Sequence, residues 1–361
     1  MALVALLTDT HFGVRNDNHV FLDYITDFYD KVFFPYLDEH KIKRVIHLGD
    51  VVDRRKYINF NTAYKMRKHL FDPLKERDIE VNIIIGNHDI YYRDVNRVNS
   101  MTELYTGYNF NIIDEPVKEK SEIVIDGVKC LLLPWMNKTN EDQALKLIAE
   151  TDAKVLFGHL ELRGYEMNKG QFLDHGYEDS IFKKFDRVMS GHFHTKSHRN
   201  NIDYLGVPYQ LTWADYRDPK GFHTFDPTTL DLTFIENPLT LYYEIKYDES
   251  YSITELREQH THSKLENKIV RFIYSNIEDK RKFNTFYAHI QEAKTISLQP
   301  IDKTLAPVVH SIDLTSYEDD TTIGFIKQYV DGLEDISVDK ETLFNLFETL
   351  YTKATHPLDI H

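Results

Sequence analysis

Five short motifs of Asp, Asn and His, each directly after an apolar run, lie between residues 9 and 194 of the sequence. They are D-x-H at 9–11, G-D-x-x-D at 49–53, G-N-H-D at 86–89, G-H at 158–159 and G-H-x-H at 191–194. Mixed oxygen and imidazole ligands suit manganese, iron or zinc, and no cysteine stands where it would make a softer site. Each motif alone is common by chance, but their shared context and ligand types predict a centre of two divalent metal ions.

Seven side chains in these motifs are predicted metal ligands. Asp9 and His11 are two residues apart, so on an extended strand they point the same way and can reach one ion. Asp50 follows a glycine at a strand end, and its two carboxylate oxygens can bridge two ions. The remaining ligands are one amide and three imidazoles, from Asn87, His159, His192 and His194.

The chemistry expected of such a centre is phosphoester hydrolysis. Two adjacent cations can activate water, polarise a phosphoryl oxygen and stabilise the leaving oxygen. His88 points away from the ions if Asn87 is a ligand, so it is predicted to hydrogen-bond the scissile phosphate or protonate the leaving alkoxide. Asp53 and Asp89 are predicted to accept hydrogen bonds that orient the histidines.

The apolar runs before the motifs predict the strands that position them. LVALLT, RVIHL, VNIII, KVLF and RVMS each end at a motif, and predicted helices near 19–39, 60–77 and 140–150 separate some of them. Pro35 is expected to interrupt the first helix, and Asp126 with Gly127 predicts a hairpin turn. Residues 1–238 are therefore predicted to form an α/β layered domain with a strand-rich second half.

Two further segments follow Pro238. Residues 239–312 alternate three predicted strands with helices, which is enough for a small α+β domain. Residues 313–361 begin with an acidic stretch at 313–322, predicted as a linker, and end with a predicted helix at 338–354. An apolar stripe on that helix is predicted to dock in a partner's groove; it includes Leu343, Phe344, Phe347, Leu350 and Tyr351.

Composition bounds the class of protein. The chain has 361 residues, 42% hydrophobic residues and no run long enough to span a bilayer, which excludes global disorder and predicts no membrane segment. The N-terminal apolar run leads straight into Asp9 and is predicted as a strand rather than a cleaved signal. The single cysteine, Cys130, is predicted to be buried, and this usage fits a reducing, cytoplasmic compartment.

Charge is unevenly distributed. The net charge of −15 alone disfavours a nucleic-acid partner. Residues 40–100, however, hold thirteen Lys and Arg against eight Asp and Glu, whereas residues 313–361 hold three against eleven. Two loops near the predicted metals carry cations and tyrosines that are predicted to contact DNA, unless they merely solvate the loops: Arg54, Arg55, Lys56, Tyr91, Tyr92 and Arg93.

The five motifs resemble the signature of the calcineurin-like metallophosphoesterase superfamily. Within it, the chain resembles the SbcD-type double-strand-break repair nuclease subunits, and most closely the recombination endonuclease subunits of T-even-type phages. The similarity includes LPWM at 133–136, GHLELRG at 158–164, SGHFHT at 190–195, LGVPYQLTWAD at 205–215 and DPKGFHTFD at 218–226. The matching motifs are dense over residues 1–238. In the rest of the chain the similarity lies in the order of the predicted elements rather than in motifs.

This resemblance implies a four-layer β-sandwich flanked by helices, a DNA-capping domain at 239–312 and a C-terminal helix that docks on an SMC-like ATPase. It implies one ion held by Asp9, His11, Asp50 and His194, and a second held by Asp50, Asn87, His159 and His192, with His88 catalytic. It also implies manganese, exonuclease and endonuclease cleavage at DNA ends, action in a host's cytoplasm if the chain is phage-encoded, and a homodimer joined near 60–77 and 91–105. The chain has no P-loop motif, so any ATP dependence must come from the partner.

Three alternatives remain open at this point. A phosphatase or cyclic-nucleotide phosphodiesterase for small substrates would use the same metals, but a second domain and a terminal helix are surplus for it. A DNA-end scaffold with a silent metal site is a different class, which the complete ligand set disfavours. GDVVDR at 49–54 also resembles serine/threonine protein phosphatases, which have GNHE where this chain has GNHD.

Overall fold

The computed structural model of the chain describes residues 3–168, 170–304, 330 and 339–355. They belong to two compact units, Met1–Lys303 and Thr304–His361, each of which is described by itself. Among the described residues, no helix has the length and apolar character that crossing a membrane requires.

Nineteen strands are described in the first unit. In chain order, β1 to β19 are Val4–Leu7, Arg44–His47, Glu80–Ile84, Ile90–Tyr92, Val95–Asn99, Asn111–Ile113, Glu122–Ile125, Val128–Leu133, Val155–His159, Glu166–Asn168, Gln171–Phe172, Arg187–Gly191, Ser197–Arg199, Ile202–Tyr204, Gly221–Phe225, Leu232–Glu236, Tyr242–Lys246, Ile269–Tyr274 and Ser297–Asp302.

Helices lie between them and in the second unit. In chain order, α1 to α12 are Val14–Asp17, His19–Phe28, Phe34–His40, Phe60–Met66, Asp72–Glu76, Ser100–Leu104, Lys118–Ser121, Glu141–Glu150, Ile253–Gln259, His262–Leu265, Lys280–Glu292 and Lys340–Thr355. Short 3₁₀ turns lie at Asp179–Phe182 and Trp213–Asp215.

Two six-stranded sheets form the centre of the first unit. Their strand orders are β16-β15-β1-β2-β3-β6 and β13-β14-β12-β9-β8-β7. Strands β1, β2, β3 and β6 run parallel in the first sheet, as do β8, β9, β12 and β14 in the second. Parallel strands place their carboxyl ends at one edge, so the motifs that follow β1, β2, β3, β9 and β12 are brought to the edges of two neighbouring sheets.

Apolar side chains join the sheets face to face. Residues of the first sheet such as Leu6 and Ile46 share a buried cluster with Phe157 and Met189 of the second. The opposite faces are covered by helices: α2 to α5 pack on the first sheet, and α8 packs on the second. Strands buried on both faces tend to be apolar along their length, as the central strand β1 is. The predicted four-layer β-sandwich flanked by helices is confirmed.

The interruption predicted at Pro35 takes the form of a changed hydrogen-bond pattern just before the proline, and the helix does not end there. A π-helical turn at Tyr29–Phe33 links α2 to α3, and the chain stays helical through the proline. A second π turn, Arg67–Phe71, precedes Pro73 in the same way. Proline lacks the N–H that an α-helix needs, and the wider turn before it changes the hydrogen-bond pattern where that donor is missing.

Other local predictions are confirmed. Asp126 and Gly127 both have positive φ and join β7 to β8 as an antiparallel hairpin. Cys130 is fully buried in the core between the two sheets. Burial raises the pKa of its thiol to about 12, so the side chain behaves as a small apolar group.

Residues after Pro238 form the predicted strands and helices. Strands β17, β18 and β19 make a separate parallel sheet, and α9 to α11 cover it around a cluster that includes Phe272 and Phe286. The division at 238 and 312 stays a prediction, and the proposed linker at 313–322 lies outside the described residues.

The second unit contains the predicted C-terminal helix, α12. The carboxylate of Asp339 caps its N-terminus, where it accepts hydrogen bonds from the backbone N–H and the hydroxyl of Thr342 at 2.9 and 3.0 Å. Leu343 and Phe344 are partly buried, whereas Leu346 and Phe347 are exposed. The side chains of Leu350 and Tyr351 lie outside the described residues.

Candidate metal centre

All seven predicted ligands lie where a motif leaves a parallel strand. The backbone there is unusual, because Asp9, His11, Asp50 and His192 have φ of 50°, 42°, 55° and 89°. Residues with a side chain adopt this region at a cost of about 1–3 kcal/mol each. Cross-strand bonds hold the conformation: the Asp9 N–H donates to Gly49 at 3.0 Å, and the His11 N–H donates to Asp50 at 3.1 Å.

One group of ligand atoms surrounds His11. Its Nε2 lies 3.0 Å from Nε2 of His194 and 3.9 Å from Oδ1 of Asp9. Oδ2 of Asp50 is also 3.9 Å away. Burial lowers the pKa of His11 well below its usual range and that of His194 to about 4, so both rings are neutral and can ligate a cation.

A second group surrounds Asn87. Its Oδ1 lies 3.0 Å from both Nε2 of His159 and Nδ1 of His192. The same Asp50 oxygen that faces His11 lies 3.4 Å from Nε2 of His159. The His159 Nδ1 is 2.7 Å from the Leu48 carbonyl, which accepts its proton and leaves Nε2 for a metal.

These atoms fit two divalent cations. Ring nitrogens and oxygen atoms whose lone pairs would repel each other converge on two points. The Asp50 carboxylate lies between these two points. Burial opposes a charged His159, but Asp50 outweighs it and raises the pKa of that ring to about 9. Burial likewise raises the pKa of Asp9 to about 7. The site therefore favours positive charge. Two bound cations would supply that charge in place of the protons on His159 and Asp9.

His88 lies beside the first group rather than in it. Its ring centroid is 4.9 Å from that of His11, at nearly a right angle. Its Nδ1 lies 2.5 Å from the Asp53 carbonyl, which accepts the proton there and leaves Nε2 without a hydrogen bond among the described residues. His11, Asp53 and His88 do bring ligand atoms within 4.8 Å of one another, but this hydrogen bond occupies one nitrogen of His88.

The two predicted supporting aspartates differ in what they touch. Asp53 Oδ1 lies 3.6 Å from Nδ1 of His11, beyond hydrogen-bond distance, and that nitrogen has no hydrogen-bond partner among the described residues, so the orienting role of Asp53 stays a prediction. Asp89 bonds to no histidine ring among the described hydrogen bonds, so its predicted role is corrected. Its buried carboxylate accepts four backbone N–H groups, from Asp50, Val51, Val52 and Gly86, at 2.9–3.2 Å. Asp89 therefore joins the loops that carry the ligands.

Close packing explains why residue 86 is a glycine where the loop that carries Asn87 meets the loop that carries Asp50. A Cβ added at Gly86 would lie 2.3 Å from the Asp50 carboxylate oxygen and 2.4 Å from the Asp50 nitrogen. Only glycine lets the two ligand loops approach this closely.

Glu161 is a supporting residue that the sequence reasoning missed. Its Oε1 lies 3.5 Å from Nε2 of His192, on the side of the ring opposite Asn87. The hydrogen bond to His192 lowers the pKa of Glu161, so the carboxylate is ionised and can hold that ring in place. Its position two residues after His159, just past the strand end, was the available signal.

The predicted DNA-contacting residues are not equivalent. Arg54 is already engaged: its guanidinium pairs with Asp17 and donates to the Tyr57 hydroxyl at 2.9 Å. Tyr91 and Tyr92 are both exposed. Arg55, Lys56 and Arg93 line an open cavity of about 720 Å³ together with Arg54, His88 and Trp135. Contact of these side chains with DNA stays a prediction.

The fold and this site define the class of protein. Residues 2–196 match the family model described as calcineurin-like phosphoesterase, which covers more than half of the chain. The chain belongs to this family of metal-dependent phosphoesterases.

Three proteins of known name are similar in sequence to this chain. The chain is 30% identical to exonuclease subunit 1 of Enterobacteria phage T4 over 97% of this chain and 98% of that protein. It is 22% identical to the SbcD component of nuclease SbcCD from Staphylococcus saprophyticus over 47% and 42% of the respective lengths. It is 26% identical to the DNA double-strand break repair protein Mre11 of Methanocaldococcus jannaschii over 80% and 73%.

Proposed function

We propose that the protein is a manganese-dependent DNA exonuclease and endonuclease, and the nuclease subunit of a complex with an SMC-like ATPase. The observation that carries the proposal is the position of His88, whose Nδ1 is anchored on Asp53 while seven ligand residues converge beside it. The names of all three relatives, which describe an exonuclease subunit, a nuclease component and a double-strand-break repair protein, support DNA as the substrate.

Two divalent ions at the ligand groups would supply the Lewis acidity that phosphodiester hydrolysis needs. The chain's own part is to orient the scissile phosphate and to supply a proton. The Asp53 carbonyl accepts the Nδ1 proton of His88, so a doubly protonated ring would give its Nε2 proton to the leaving oxygen. Glu161 and Asp53 would hold the ligand rings of His192 and His11 during this step.

Charge at the rim supports a polyanionic substrate. The open cavity beside His88 is lined by five cations, Arg54, Arg55, Lys56, Arg93 and Lys138, against three carboxylates, Asp53, Asp94 and Glu141. Phosphate contacts of this kind give affinity without sequence selection.

Two partner surfaces belong to the proposal. Tyr57, Phe60, Tyr64 and Leu104 are exposed on and beside α4 and α6, and we assign this apolar surface to a homodimer. We assign α12, with Leu346 and Phe347 exposed, to the ATPase partner. Phe60→Glu should convert the dimer to a monomer in analytical ultracentrifugation, and a variant that stays dimeric would overturn the dimer assignment. Truncation before residue 323 should abolish co-purification with the ATPase, and a truncated chain that still retains the ATPase would overturn the assignment of α12.

Cleavage assays test the central proposal. Wild-type protein with manganese and its ATPase partner should cut linear and hairpin-ended duplexes, and His88→Gln should lose at least about 100-fold in rate, the usual lower limit for general acid catalysis. Rapid hydrolysis of a small phosphoester without any cutting of DNA would instead favour the small-substrate alternative. Manganese content near zero after dialysis would favour the silent scaffold.

A further inference from the structure

The loop between β8 and α8, residues 134–140, forms a rigid wall of the cavity beside His88. Side-chain amides of Asn96 and Asn140 both donate to the Trp135 carbonyl, at 2.7 and 3.0 Å. The Trp135 N–H donates to the Ile85 carbonyl at 2.8 Å, two residues before the ligand Asn87. Asn137 donates to Asn96 at 2.8 Å, so buried amides cross-link the whole loop. The backbone of Trp135 is thus fixed with respect to the metal ligands.

The Trp135 ring lies at the metal centre but ligates nothing. Its centroid is 5.1 Å from that of His192 and 5.9 Å from that of His159. Trp135 is only partly buried and lines the cavity together with His88. A large aromatic group placed at a solvent-open cavity by a buried amide network is suited to binding a planar ligand.

Unpaired cations surround the same cavity. Within the part of the chain that the structure describes, Arg55, Arg93 and Lys138 form no ion pair, whereas the neighbouring Arg54 is held by Asp17. Arg55 and Arg93 line the same cavity, and burial together with the charge of Arg93 lowers the pKa of Arg55. Such a pair is stabilised by an anion between its members.

We propose that this cavity is a subsite for one unpaired nucleotide, in which Trp135 stacks on the base while Arg55, Arg93 and Lys138 bind an adjacent phosphate. This inference rests on the proposed nuclease function and deepens it. The volume of about 720 Å³ lies within the range of about 300–1,000 Å³ that is usual for pockets holding a small organic ligand. Both faces of an internal base in a duplex are already stacked, and a terminal base keeps one face on its neighbour, so a base that enters the cavity to lie on Trp135 must first leave the helix.

The protein therefore engages DNA as a single strand or a frayed end. Ends with terminal mismatches should be cut faster than fully paired ends, because the cost of unpairing the terminal base is smaller. Sequence preference should be weak, because every base offers an aromatic face.

Fluorescence of 2-aminopurine tests the stacking. The full chain carrying His88→Gln, with manganese, is titrated with single-stranded oligonucleotides that hold 2-aminopurine at the 5′ or the 3′ terminal position. Binding should quench one of the two probes. Trp135→Ala in this background should bind about 5- to 100-fold more weakly and lose the quenching, whereas Trp135→Phe should retain most of both.

The phosphate contact is tested separately. Lys138→Ala should weaken binding of the same probe and reduce the slope of log affinity against log salt by about one. Lys146→Ala is the matched control, because Lys146 is exposed on the following helix α8 and, among the described residues, pairs with Glu150 alone, at 3.9 Å. It should leave the affinity and the salt dependence unchanged.

Manganese content and urea unfolding of each variant separate local from global effects. Equal affinity and quenching in Trp135→Ala and its parent, or a Trp135→Phe variant that folds, holds manganese and yet behaves as Trp135→Ala does, would overturn the subsite. Cleavage of duplex DNA by the unsubstituted protein is scored independently, so the nuclease assignment survives the first of these results. A protein that neither binds the oligonucleotides nor cuts DNA would overturn both.

Discussion

Replacing Asp89 with Asn tests how the ligand loops are held together. Each carboxylate oxygen of Asp89 accepts two backbone N–H groups: Oδ1 from Val51 and Val52, and Oδ2 from Asp50 and Gly86. Burial, together with nearby Asp50, raises the pKa of Asp89 to about 7, but four converging N–H donors leave no acceptor for a carboxyl proton and favour the ionised form.

Asn keeps one oxygen, so it can retain two of these four bonds. Its amide N–H groups would face the other two donors. At about 1.5–3 kcal/mol for each hydrogen bond to a charged group, the free energy of unfolding should fall by about 3–6 kcal/mol. The affinity for manganese should fall as well, because Asp50 and Asn87 sit on the two loops that lose their connection.

Urea unfolding in EDTA measures the first effect and calorimetric titration with manganese the second. Asp174→Asn is the control, because its carboxylate is almost fully exposed. A loss of less than about 1 kcal/mol in Asp89→Asn would refute the reasoning, since it would mean that the four bonds, each expected to contribute about 1.5–3 kcal/mol, do not hold the loops.

Two further perturbations follow from the structure. Glu161→Gln should weaken manganese binding about 10- to 100-fold, because His192 loses a charged partner; calorimetric affinity equal to that of the unsubstituted protein would contradict this role. His223 is buried, and burial together with Lys196 and Arg187 lowers its pKa to about 3, so below about pH 6.5 the unfolded chain binds a proton that the folded chain does not. His223 should therefore lower the free energy of unfolding by about 2 kcal/mol between pH 7 and pH 5. In urea titrations over the same range, His223→Phe should lose about 2 kcal/mol less than the unsubstituted protein. Identical pH dependence in the two proteins would show that His223 does not contribute.

The grouping of the predicted metal ligands within each sheet was predictable because it depends on simple rules. Apolar runs predict strands, and parallel strands bring the residues that follow them to one edge, so Asp50 could be placed beside Asn87, and His159 beside His192, without a structure. That the edges of the two sheets meet was not predictable by this rule. The hairpin at Asp126 followed from turn chemistry in the same way.

Other features depend on tertiary contacts that no local pattern reveals. The positive φ of Asp9 and Asp50 contradicts their intrinsic preference and persists because neighbouring strands bond to the same peptide groups. Asp89 was predicted to orient a histidine, but its partners are backbone N–H groups. Nearly every residue has such a group, so the sequence gives no sign of which ones Asp89 binds. Trp135 resembled part of an apolar run, and its place at the cavity is set by distant asparagines such as Asn96.

The most direct test of the metal centre counts manganese in purified protein and measures DNA cleavage in the same samples. The unsubstituted chain and His88→Gln should each bind two ions per chain, and only the first should cut DNA. His159→Ala should lose one ion together with activity. A single ion in the unsubstituted chain, or loss of an ion in His88→Gln, would contradict a dinuclear centre flanked by a histidine that donates a proton rather than ligating a metal.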